Sequence, residues 1–359
     1  MVVLNFKYFK LNSECFLVTG VKKSVIYNLL SKKMIWLDEE QSEIVKLAEL
    51  GDKVDENNSL LKDLVDNGWG QFSDEKIYVE KIRTKNLFSI NQFYKSRPII
   101  KSVTIQIINE CNLKCLDCIN RQCPECISMD NNNTKISCED LLMLLKVLKP
   151  FGLEQVVLTG GEVALHKQLG EIIDIVKSFD LRVCVCTNGI KKIDRLDRID
   201  MLFINVFDRN QIKQIENNYK ENKVFIVMDS SLMNESISAK WSLIRKDNFR
   251  SITGTDNMLL LDEVKFFERK YYNECLNNRM YITSKLDVVK CFGVRDVIGN
   301  MKKDNINDIV LELYNNIWRQ SKCNIDNVCS KCEFRYSCDT CLKIDKNNCG
   351  YNLEEGIWK

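Results

Sequence analysis

Short apolar segments alternate with amphipathic helical segments between residues 100 and 255, and this alternation restricts the fold more than any other feature of the sequence. The predicted strands are residues 103–108, 155–159, 182–186, 201–206 and 224–228. The predicted helices between them are residues 141–148, 169–176 and 211–219. Such alternation indicates βαβ units and a parallel sheet, in which ligands bind at the carboxyl ends of the strands. We therefore expect an α/β domain with its site at that edge.

The sequence on either side of this segment has a different character. Residues 1–85 predict strands, two helices and a closing strand, which together make a small winged-helix-like unit. Its first helix has a capping-box start at Asp38 and Gln41 and ends at Gly51. Later in the chain we predict a hairpin at 281–291 and a helix at 309–318. The predicted division is a domain at 1–85, a linker at 86–99, an α/β core at 100–255 and a cysteine-rich domain at 256–359.

The overall composition argues against several classes of protein. The 359 residues carry a net charge of +2, so we expect neither a nucleic-acid partner nor a membrane-surface partner. The amino terminus lacks the basic and apolar segments of a signal peptide, and no stretch approaches the roughly 18 apolar residues that span a bilayer. We therefore expect a cytoplasmic protein.

Cysteine is unusually frequent and unevenly distributed. Of 17 cysteines, five lie between residues 111 and 126 and eight lie between residues 275 and 349. In a reducing compartment, clustered cysteines more often bind metal or act in catalysis than form disulfides. The single histidine, His166, argues against mixed Cys/His zinc sites but not against all-cysteine sites. The scattered cysteines are interpreted as small core residues: Cys15, Cys138, Cys184 and Cys186.

Cys111, Cys115 and Cys118 follow the first predicted strand of the α/β core. Their spacing fits one tight loop and suits three irons of a [4Fe-4S] cluster, because cysteine thiolates are the usual ligands of such clusters. The fourth iron then has no protein ligand and is open to a substrate. A zinc knuckle is the alternative interpretation of the same spacing.

This C-x3-C-x2-C run resembles the cluster loop of the radical S-adenosylmethionine (SAM) enzymes. The resemblance implies a partial (β/α)6 barrel, with SAM bound to the open iron and cleaved to a 5′-deoxyadenosyl radical. Many members of the family carry an aromatic residue before the last cysteine, whereas this chain has Asp117.

Two further runs resemble SAM-binding elements of that family. Thr159-Gly160-Gly161-Glu162 resembles its GGE motif, in which glycines permit close backbone approach to a ligand and Glu162 would engage the SAM ammonium. The family often has proline next, whereas this chain has Val163. Thr187-Asn188-Gly189 resembles another element near SAM, and Asn205 and Asp208 are candidates for the ribose. The residues predicted to bind SAM are Thr159, Gly160, Gly161, Glu162, Thr187, Asn188 and Asn205.

The cysteine-rich part resembles the SPASM extension of peptide-modifying radical SAM enzymes. One departure is that only two residues separate Cys338 from Cys341, where the family has three. The resemblance implies one auxiliary [4Fe-4S] cluster on Cys329, Cys332, Cys338 and Cys349. It implies a second, incomplete or open site on Cys275, Cys291 and Cys341. Cys323 is a candidate further ligand, and Cys123 and Cys126 have no assigned role. Structural zinc is the alternative for the paired cysteines.

Residues 1–85 resemble the peptide-recognition domains of enzymes that mature ribosomally made peptides. The resemblance implies an oxidoreductase whose partners are a precursor peptide, bound through its leader as an added strand, and an electron donor such as flavodoxin or ferredoxin. The product would carry a thioether or carbon–carbon crosslink. Two alternatives remain: a maturase of folded proteins that resembles the sulfatase-maturing enzymes, and a zinc-stabilised peptide-binding scaffold without catalysis.

Overall fold

The computed structural model describes nine stretches of the chain. They are residues 5–83, 98–113, 134–219, 224–228, 242–245, 258–292, 296–321, 328–338 and 351–358. The chain divides into two compact units, each built from separate stretches. Unit 1 comprises Met1–Ser96, Arg250–Glu274 and Gln320–Lys359, and unit 2 comprises Arg97–Phe249 and Cys275–Arg319.

Unit 1 contains three small antiparallel sheets and three helices among the described residues. Its strands are β1 Phe6–Leu11, β2 Cys15–Thr19, β3 Ser24–Asn28, β4 Lys33–Leu37, β5 Lys53–Asp55, β6 Gly70–Ser73, β16 Tyr351–Asn352 and β17 Ile357–Trp358. Its helices are α1 Glu39–Leu50, α2 Ser59–Asp66 and α6 Glu263–Tyr271. The sheets have the strand orders β5-β1-β6, β2-β3-β4 and β16-β17.

Local signals in the sequence correctly predict the first helix. The Asp38 side chain accepts from the Gln41 amide while the Gln41 side chain accepts from the Asp38 amide, so the predicted capping box is present. Gly51 ends α1 with a φ of 98°, a left-handed conformation that glycine adopts without steric cost.

The sheet β2-β3-β4 is covered on both faces, and its side chains alternate between two apolar cores. One set packs with Phe266, Phe334 and other residues that come from beyond residue 257; the sheet residues of this set are Phe16, Val18, Val25, Tyr27 and Met34. The other set packs with Phe9, Val45, Leu61 and other residues of the first 75; the sheet residues of this set are Cys15, Leu17, Ile26, Ile35 and Leu37. Since successive side chains on a strand point to opposite faces, this alternation gives the sheet two buried surfaces. The amino-terminal sheet therefore shares one core with the cysteine-rich stretch.

Unit 2 is built on a nine-stranded sheet. Its strands are β7 Ser102–Ile108, β8 Gln155–Gly160, β9 Arg182–Thr187, β10 Met201–Val206, β11 Val224–Met228, β12 Ser242–Arg245, β13 Arg279–Ile282, β14 Asp287–Val289 and β15 Val297–Asn300. The strand order is β12-β11-β10-β9-β8-β7-β13-β14-β15. β7 to β12 are parallel and lie in chain order, which confirms the predicted α/β class. Its helices are α3 Cys138–Leu148, α4 Leu169–Ser178, α5 Arg209–Asn218 and α7 Ile306–Glu312.

Three strands between residues 279 and 300 join the large sheet, which the sequence did not indicate. The predicted hairpin is present as β13 and β14, but β13 also pairs in parallel with β7, with Arg279 opposite Ser102 and Ile282 opposite Ile105. The predicted helix at 309–318 is α7 continued by a π-helix over Leu313–Trp318. Each compact unit therefore combines stretches that are not adjacent in the sequence. The functional domains predicted at residues 1–85, 100–255 and 256–359, with a linker at 86–99, remain a prediction.

In the described part of the chain, no helix has the length and apolar character to cross a membrane.

Candidate functional site

Four neighbouring strands of unit 2 bring the predicted motifs to one edge of the sheet. β7 ends at Ile108, three residues before Cys111, and β8 ends at Gly160 within the Gly-Gly-Glu run. β9 ends at Thr187, and β10 contains Asn205 as its fifth residue. Because the carboxyl ends of adjacent parallel strands meet at the same edge, these motifs are neighbours in space. Cys115 and Cys118 lie outside the described residues.

Gly160 and Gly161 permit a very close contact between two parts of the protein backbone. A Cβ atom at Gly160 would collide with the Ile108 carbonyl oxygen, and one at Gly161 would collide with the Glu110 carbonyl group. The Gly161 amide donates to the Ile108 carbonyl at 2.8 Å, and the Glu162 amide donates to the Glu110 carbonyl at 2.8 Å. The pair of glycines therefore fastens the end of β8 to the backbone that leads into Cys111. The sequence had suggested close approach to a ligand; the contact seen here is with the chain itself.

The Glu162 side chain is fully buried and accepts three hydrogen bonds. Its Oε1 accepts from the Thr187 hydroxyl at 2.6 Å and the Ala164 amide at 2.9 Å. Its Oε2 accepts from the Asn188 amide at 2.7 Å. Burial raises the pKa of the Glu162 carboxyl, and the three donors oppose that rise by stabilising the charged form. The carboxylate thus joins the end of β8 to the end of β9.

Asn188 connects this edge to the cysteine run. Its side-chain Nδ2 donates to Asn112 Oδ1 at 2.7 Å, and Asn112 directly follows Cys111. Its carbonyl oxygen accepts from Gln211 Nε2 at 3.2 Å. The end of β9 is therefore bonded both to the cysteine run and to α5.

Gln211 is a site residue that the functional interpretation of the sequence missed. Its Oε1 accepts from the Phe207 amide at 2.6 Å and from the Asp208 amide at 3.0 Å, while its Nε2 reaches Asn188. Asp208 caps α5 by accepting from the Asn210 amide, and it forms a capping box with Gln211. The Asp-x-x-Gln spacing at 208–211 was the available signal, because it is the same capping-box pattern that predicted α1. Asn205 is buried beside this cap.

Asn109 and Thr134, which precede and follow the three predicted cluster cysteines in the sequence, are hydrogen-bonded to each other. The Asn109 amide donates to the Thr134 carbonyl at 3.1 Å, and the Ile136 amide donates to the Ile107 carbonyl at 3.0 Å. Asn109 Nδ2 also donates to Thr134 Oγ1 at 2.6 Å, and Thr134 Oγ1 lies 2.6 Å from Ser284 Oγ. Asn109 and Thr134 are therefore fixed relative to the end of β7 and to the β13–β14 turn.

The described cysteines of the predicted auxiliary sites fall in both units. In unit 2, the Tyr281 hydroxyl donates to the Cys275 carbonyl at 3.2 Å. Burial raises the pKa of Tyr281, and the nearby thiolates of Cys275 and Cys291 raise it further. Both cysteines therefore lie near one tyrosine.

In unit 1, Cys332 and Cys338 are buried in the core that also covers β2-β3-β4. Burial raises the pKa of Cys332 well above its usual value, and the neighbouring charges of Glu333, Cys338 and Cys329 act in the same direction. A metal ion would reverse this rise by binding the thiolate form. Cys341, Cys349, Cys123, Cys126 and Cys323 lie outside the described residues.

Of the cysteines that were predicted to be core residues, Cys15, Cys184 and Cys186 are buried and Cys138 is half-buried. Burial raises the pKa of Cys15 and of Cys184 to about 12, so both are neutral thiols at physiological pH. His166 is buried as well, where its Nε2 lies 3.0 Å from the Ile136 carbonyl and its Nδ1 accepts from the Gln168 amide. These partners and a pKa lowered by burial make it a neutral packing residue.

Cys111 is half-buried at this sheet edge, and its thiolate is the ligand type that suits an iron–sulfur cluster. The Glu162 side chain already accepts from three protein donors. Within the nine described stretches, no three His, Cys, Asp or Glu side chains are grouped closely enough to hold a metal ion.

Residues 105–210, from within β7 to the start of α5, match the radical SAM superfamily. Among curated proteins, the chain is 32% identical over 128 residues to the probable GTP 3′,8-cyclase of Saccharolobus islandicus, covering 33% of this chain and 39% of that protein. It is 32% identical over 93 residues to the GTP 3′,8-cyclase of Clostridium acetobutylicum, covering 25% of this chain and 28% of that protein. The chain thus spans about two fifths or less of these relatives.

Two solved structures show similarity over more of the chain. One is Streptococcus suis SuiB bound to the precursor peptide SuiA, with a TM-score of 0.43 and 15% identity, covering 93% of this chain and 95% of that one. The other is anSMEcpe with bound AdoMet, with a TM-score of 0.42 and 16% identity, covering 66% of this chain and 88% of that one.

Proposed function

We propose that the protein is a radical SAM oxidoreductase that modifies a ribosomally made precursor peptide, forming a thioether or carbon–carbon crosslink. The observation that carries the proposal is the convergence of Cys111, Gly160-Gly161-Glu162 and Thr187-Asn188 at one sheet edge. The convergence falls inside the stretch that matches the radical SAM superfamily. A zinc knuckle does not account for a glycine pair and a buried carboxylate that are fastened to the same cysteine run.

Each predicted site residue has a place in this proposal. Cys111, Cys115 and Cys118 would hold three irons of a [4Fe-4S] cluster, and the carboxyl ends of β8, β9 and β10 would form the SAM side of the site. When bound, the cluster and SAM supply a 5′-deoxyadenosyl radical that removes a hydrogen atom from the peptide. The protein contributes the geometry: the residues of these strand ends are Thr159, Gly160, Gly161, Glu162, Thr187, Asn188 and Asn205.

The auxiliary cysteines supply a route for electrons in the same proposal. Closing a crosslink oxidises the peptide, so an acceptor is required within the protein. We assign Cys329, Cys332, Cys338 and Cys349 to one auxiliary [4Fe-4S] cluster. We assign Cys275, Cys291 and Cys341 to a second site. A flavodoxin or ferredoxin would deliver the electron that starts each turnover.

Unit 1 offers a surface for the leader of the precursor peptide. β5 is an edge strand of the sheet β5-β1-β6 in the described part of unit 1, and a groove of about 340 Å³ lies beside it. Four apolar residues, which include the substantially exposed Phe6 and Leu47, line the groove together with four polar or charged residues. An extended peptide that adds to β5 would gain backbone hydrogen bonds and place alternate side chains in this groove.

A second candidate function is chemistry on a guanine nucleotide, which the identity of about one third to GTP 3′,8-cyclases favours. That identity covers no more than 33% of this chain. The sequence identity therefore supports a shared domain but does not identify the substrate. A maturase of folded proteins and a zinc scaffold are the remaining alternatives.

Anaerobic purification and reconstitution provide the first test. We expect iron and sulfide, and reductive cleavage of SAM to 5′-deoxyadenosine, in the intact chain. Cys115→Ala should abolish SAM cleavage. Cys138→Ala should retain it, because Cys138 begins helix α3 and belongs to none of the proposed sites. Zinc in place of iron and sulfide, with no SAM cleavage, would contradict the enzyme proposal.

A precursor peptide encoded beside the enzyme provides the second test. Mass spectrometry after anaerobic incubation should show a loss of about 2 Da for each crosslink, since each closure removes two hydrogen atoms. An unchanged peptide despite SAM cleavage would contradict the peptide proposal, and a new product from GTP would favour the nucleotide alternative.

A further inference from the structure

We propose, on the basis of the proposed cluster at Cys111, that Asn188 and Asn112 form a positioning pair that fixes the start of the cysteine run. In this role the Asn188 side chain acts on the cluster through Asn112.

The first observation is that every polar group of Asn188 has a protein partner. Its amide donates to Glu162 Oε2 at 2.7 Å, and its carbonyl accepts from Gln211 Nε2 at 3.2 Å. Its side-chain Oδ1 accepts from the Ile190 amide at 3.0 Å, and its Nδ2 donates to Asn112 Oδ1 at 2.7 Å. A residue that is only 1% exposed and bonded in this way has one fixed side-chain direction.

The second observation is that the supports of Asn188 are themselves fixed. Glu162 is held by Thr187 and Ala164, and its own amide is bonded to the Glu110 carbonyl. Gln211 is held by the cap of α5. The main chain of Asn188 is therefore held from β8 on one side and from α5 on the other, so the bond to Asn112 has a rigid origin.

The third observation concerns Asn112. It is an exposed residue, it directly follows Cys111, and Asn188 holds it across 76 positions of sequence. The Gly161 and Glu162 amides hold the backbone before Cys111, through the carbonyls of Ile108 and Glu110. The Asn188 bond holds the side chain of Asn112, the residue directly after it. Cys111 is thus bracketed on both sides by bonds to the ends of β8 and β9.

Bracketing of this kind affects a cluster because three thiolates must converge on one group. Partners that orient metal ligands typically change metal affinity by 10- to 100-fold when they are removed. The link through Asn112 is one bond further from the metal, so we expect an effect of about tenfold, at the lower end of that range.

The test follows the cluster directly by electron paramagnetic resonance. The part of the reduced signal that changes when SAM is added reports the cluster at Cys111 and excludes auxiliary clusters. The intact chain and its variants are reconstituted anaerobically, and the decay of that part is followed in the presence of an iron chelator. We expect the SAM-sensitive signal of Asn112→Leu and of Asn188→Leu to decay about tenfold faster than that of the wild type. The signal of the double variant should decay no faster than that of either single variant, because all three lack the same bond.

Two variants separate this role from general loosening. Asn112→Asp keeps an acceptor oxygen for Asn188 Nδ2, so its signal should decay as slowly as the wild type. Asn218→Leu removes bonds from the same 187–190 turn, at the Gly189 and Ile190 carbonyls, without touching Asn112. It should also decay at the wild-type rate.

Wild-type decay in Asn112→Leu, or equally fast decay in Asn218→Leu, would overturn the positioning pair and leave the proposed function standing. A wild-type chain with no SAM-sensitive signal would overturn the proposed function, and this inference with it.

Discussion

The carboxyl edge of the unit 2 sheet and the β2-β3-β4 sheet of unit 1 are both buried, but they are held together by different forces. At the unit 2 edge, the Glu162 carboxyl group and several amides are buried and bonded to one another. In the unit 1 sheet, apolar side chains alternate between two cores. Polar burial demands particular partners, whereas apolar burial demands only volume and shape. The polar arrangement of unit 2 therefore requires particular residues at one site, whereas the apolar arrangement of unit 1 requires only residues that fill the fold.

Truncation of an aromatic residue in the unit 1 core should have the largest effect. Phe266 is 2% exposed, and its ring centroid lies 5.0 Å from that of Phe16 and 4.8 Å from that of Tyr336. Phe266→Ala should lower the free energy of unfolding by about 4 kcal/mol, because it leaves a cavity between sheet and cysteine stretch. Chemical denaturation measures this loss, and limited proteolysis should show faster cleavage within residues 5–37. Unchanged protection of those residues would show that the sheet does not depend on this core.

Replacing the buried carboxylate of unit 2 should have the next largest effect. Glu162→Leu leaves the Thr187 hydroxyl and the Asn188 and Ala164 amides without their acceptor, which should cost about 3 kcal/mol of unfolding free energy. Glu110→Gln is the control, since Glu110 makes a half-exposed ion pair with Lys135 and should cost less than about 1 kcal/mol. Equal losses in the two variants would remove the distinction between the polar edge and the surface.

The close backbone contact at Gly161 predicts an intermediate effect. Gly161→Ala should destabilise unit 2 by about 2 kcal/mol, because the new Cβ must push away the Glu110 carbonyl. Gly170→Ala is a matched control within α4, where the nearest atom to a new Cβ would be 3.7 Å away. It should raise stability by up to about 1 kcal/mol, since alanine favours helix over glycine. Thermal unfolding of both variants gives the comparison, and a tolerated Gly161→Ala would be inconsistent with the contact.

The hydrogen bonds of one hydroxyl in unit 1 predict the smallest effect. Tyr27→Phe removes the 2.8 Å contact between the Tyr27 hydroxyl and Ser337 Oγ and the 3.3 Å bond to the Glu333 carbonyl, but keeps the ring. We expect a loss of about 1 kcal/mol in urea unfolding. Tyr78→Phe, at a residue that is 85% exposed, should change nothing measurable. A loss near that of Phe266→Ala would mean that polar bonds, and not apolar packing, hold this sheet.

The sequence predicts features that depend on neighbours along the chain. The capping box at Asp38 and Gln41 and the strands before Cys111 and Gly160 were found because their signals are local. The sequence also predicted that the site motifs lie close together, since βα alternation alone brings the carboxyl ends of adjacent strands together.

Features that depend on distant contacts were not predictable from the sequence. The Asn112–Asn188 bond spans 76 positions, and neither asparagine has a pattern that identifies its partner. The parallel pairing of β13 with β7 was missed because a short apolar strand does not reveal its neighbour. The partner of one face of β2-β3-β4 was missed for the same reason: alternation shows that a face is apolar, but not what covers it.

The two-faced sheet of unit 1 has a consequence for the order of events during synthesis. The chain is synthesised from its amino terminus, so β2, β3 and β4 leave the ribosome long before Phe266, Phe334 and Tyr351. Those three residues belong to the core that covers one face of the sheet. Throughout that interval the nascent protein presents an uncovered apolar surface, which is the condition under which chains aggregate or recruit chaperones. That face is covered only after Cys332, Phe334 and Tyr351 have been synthesised, so residues beyond position 331 complete a core that was begun by β2, β3 and β4.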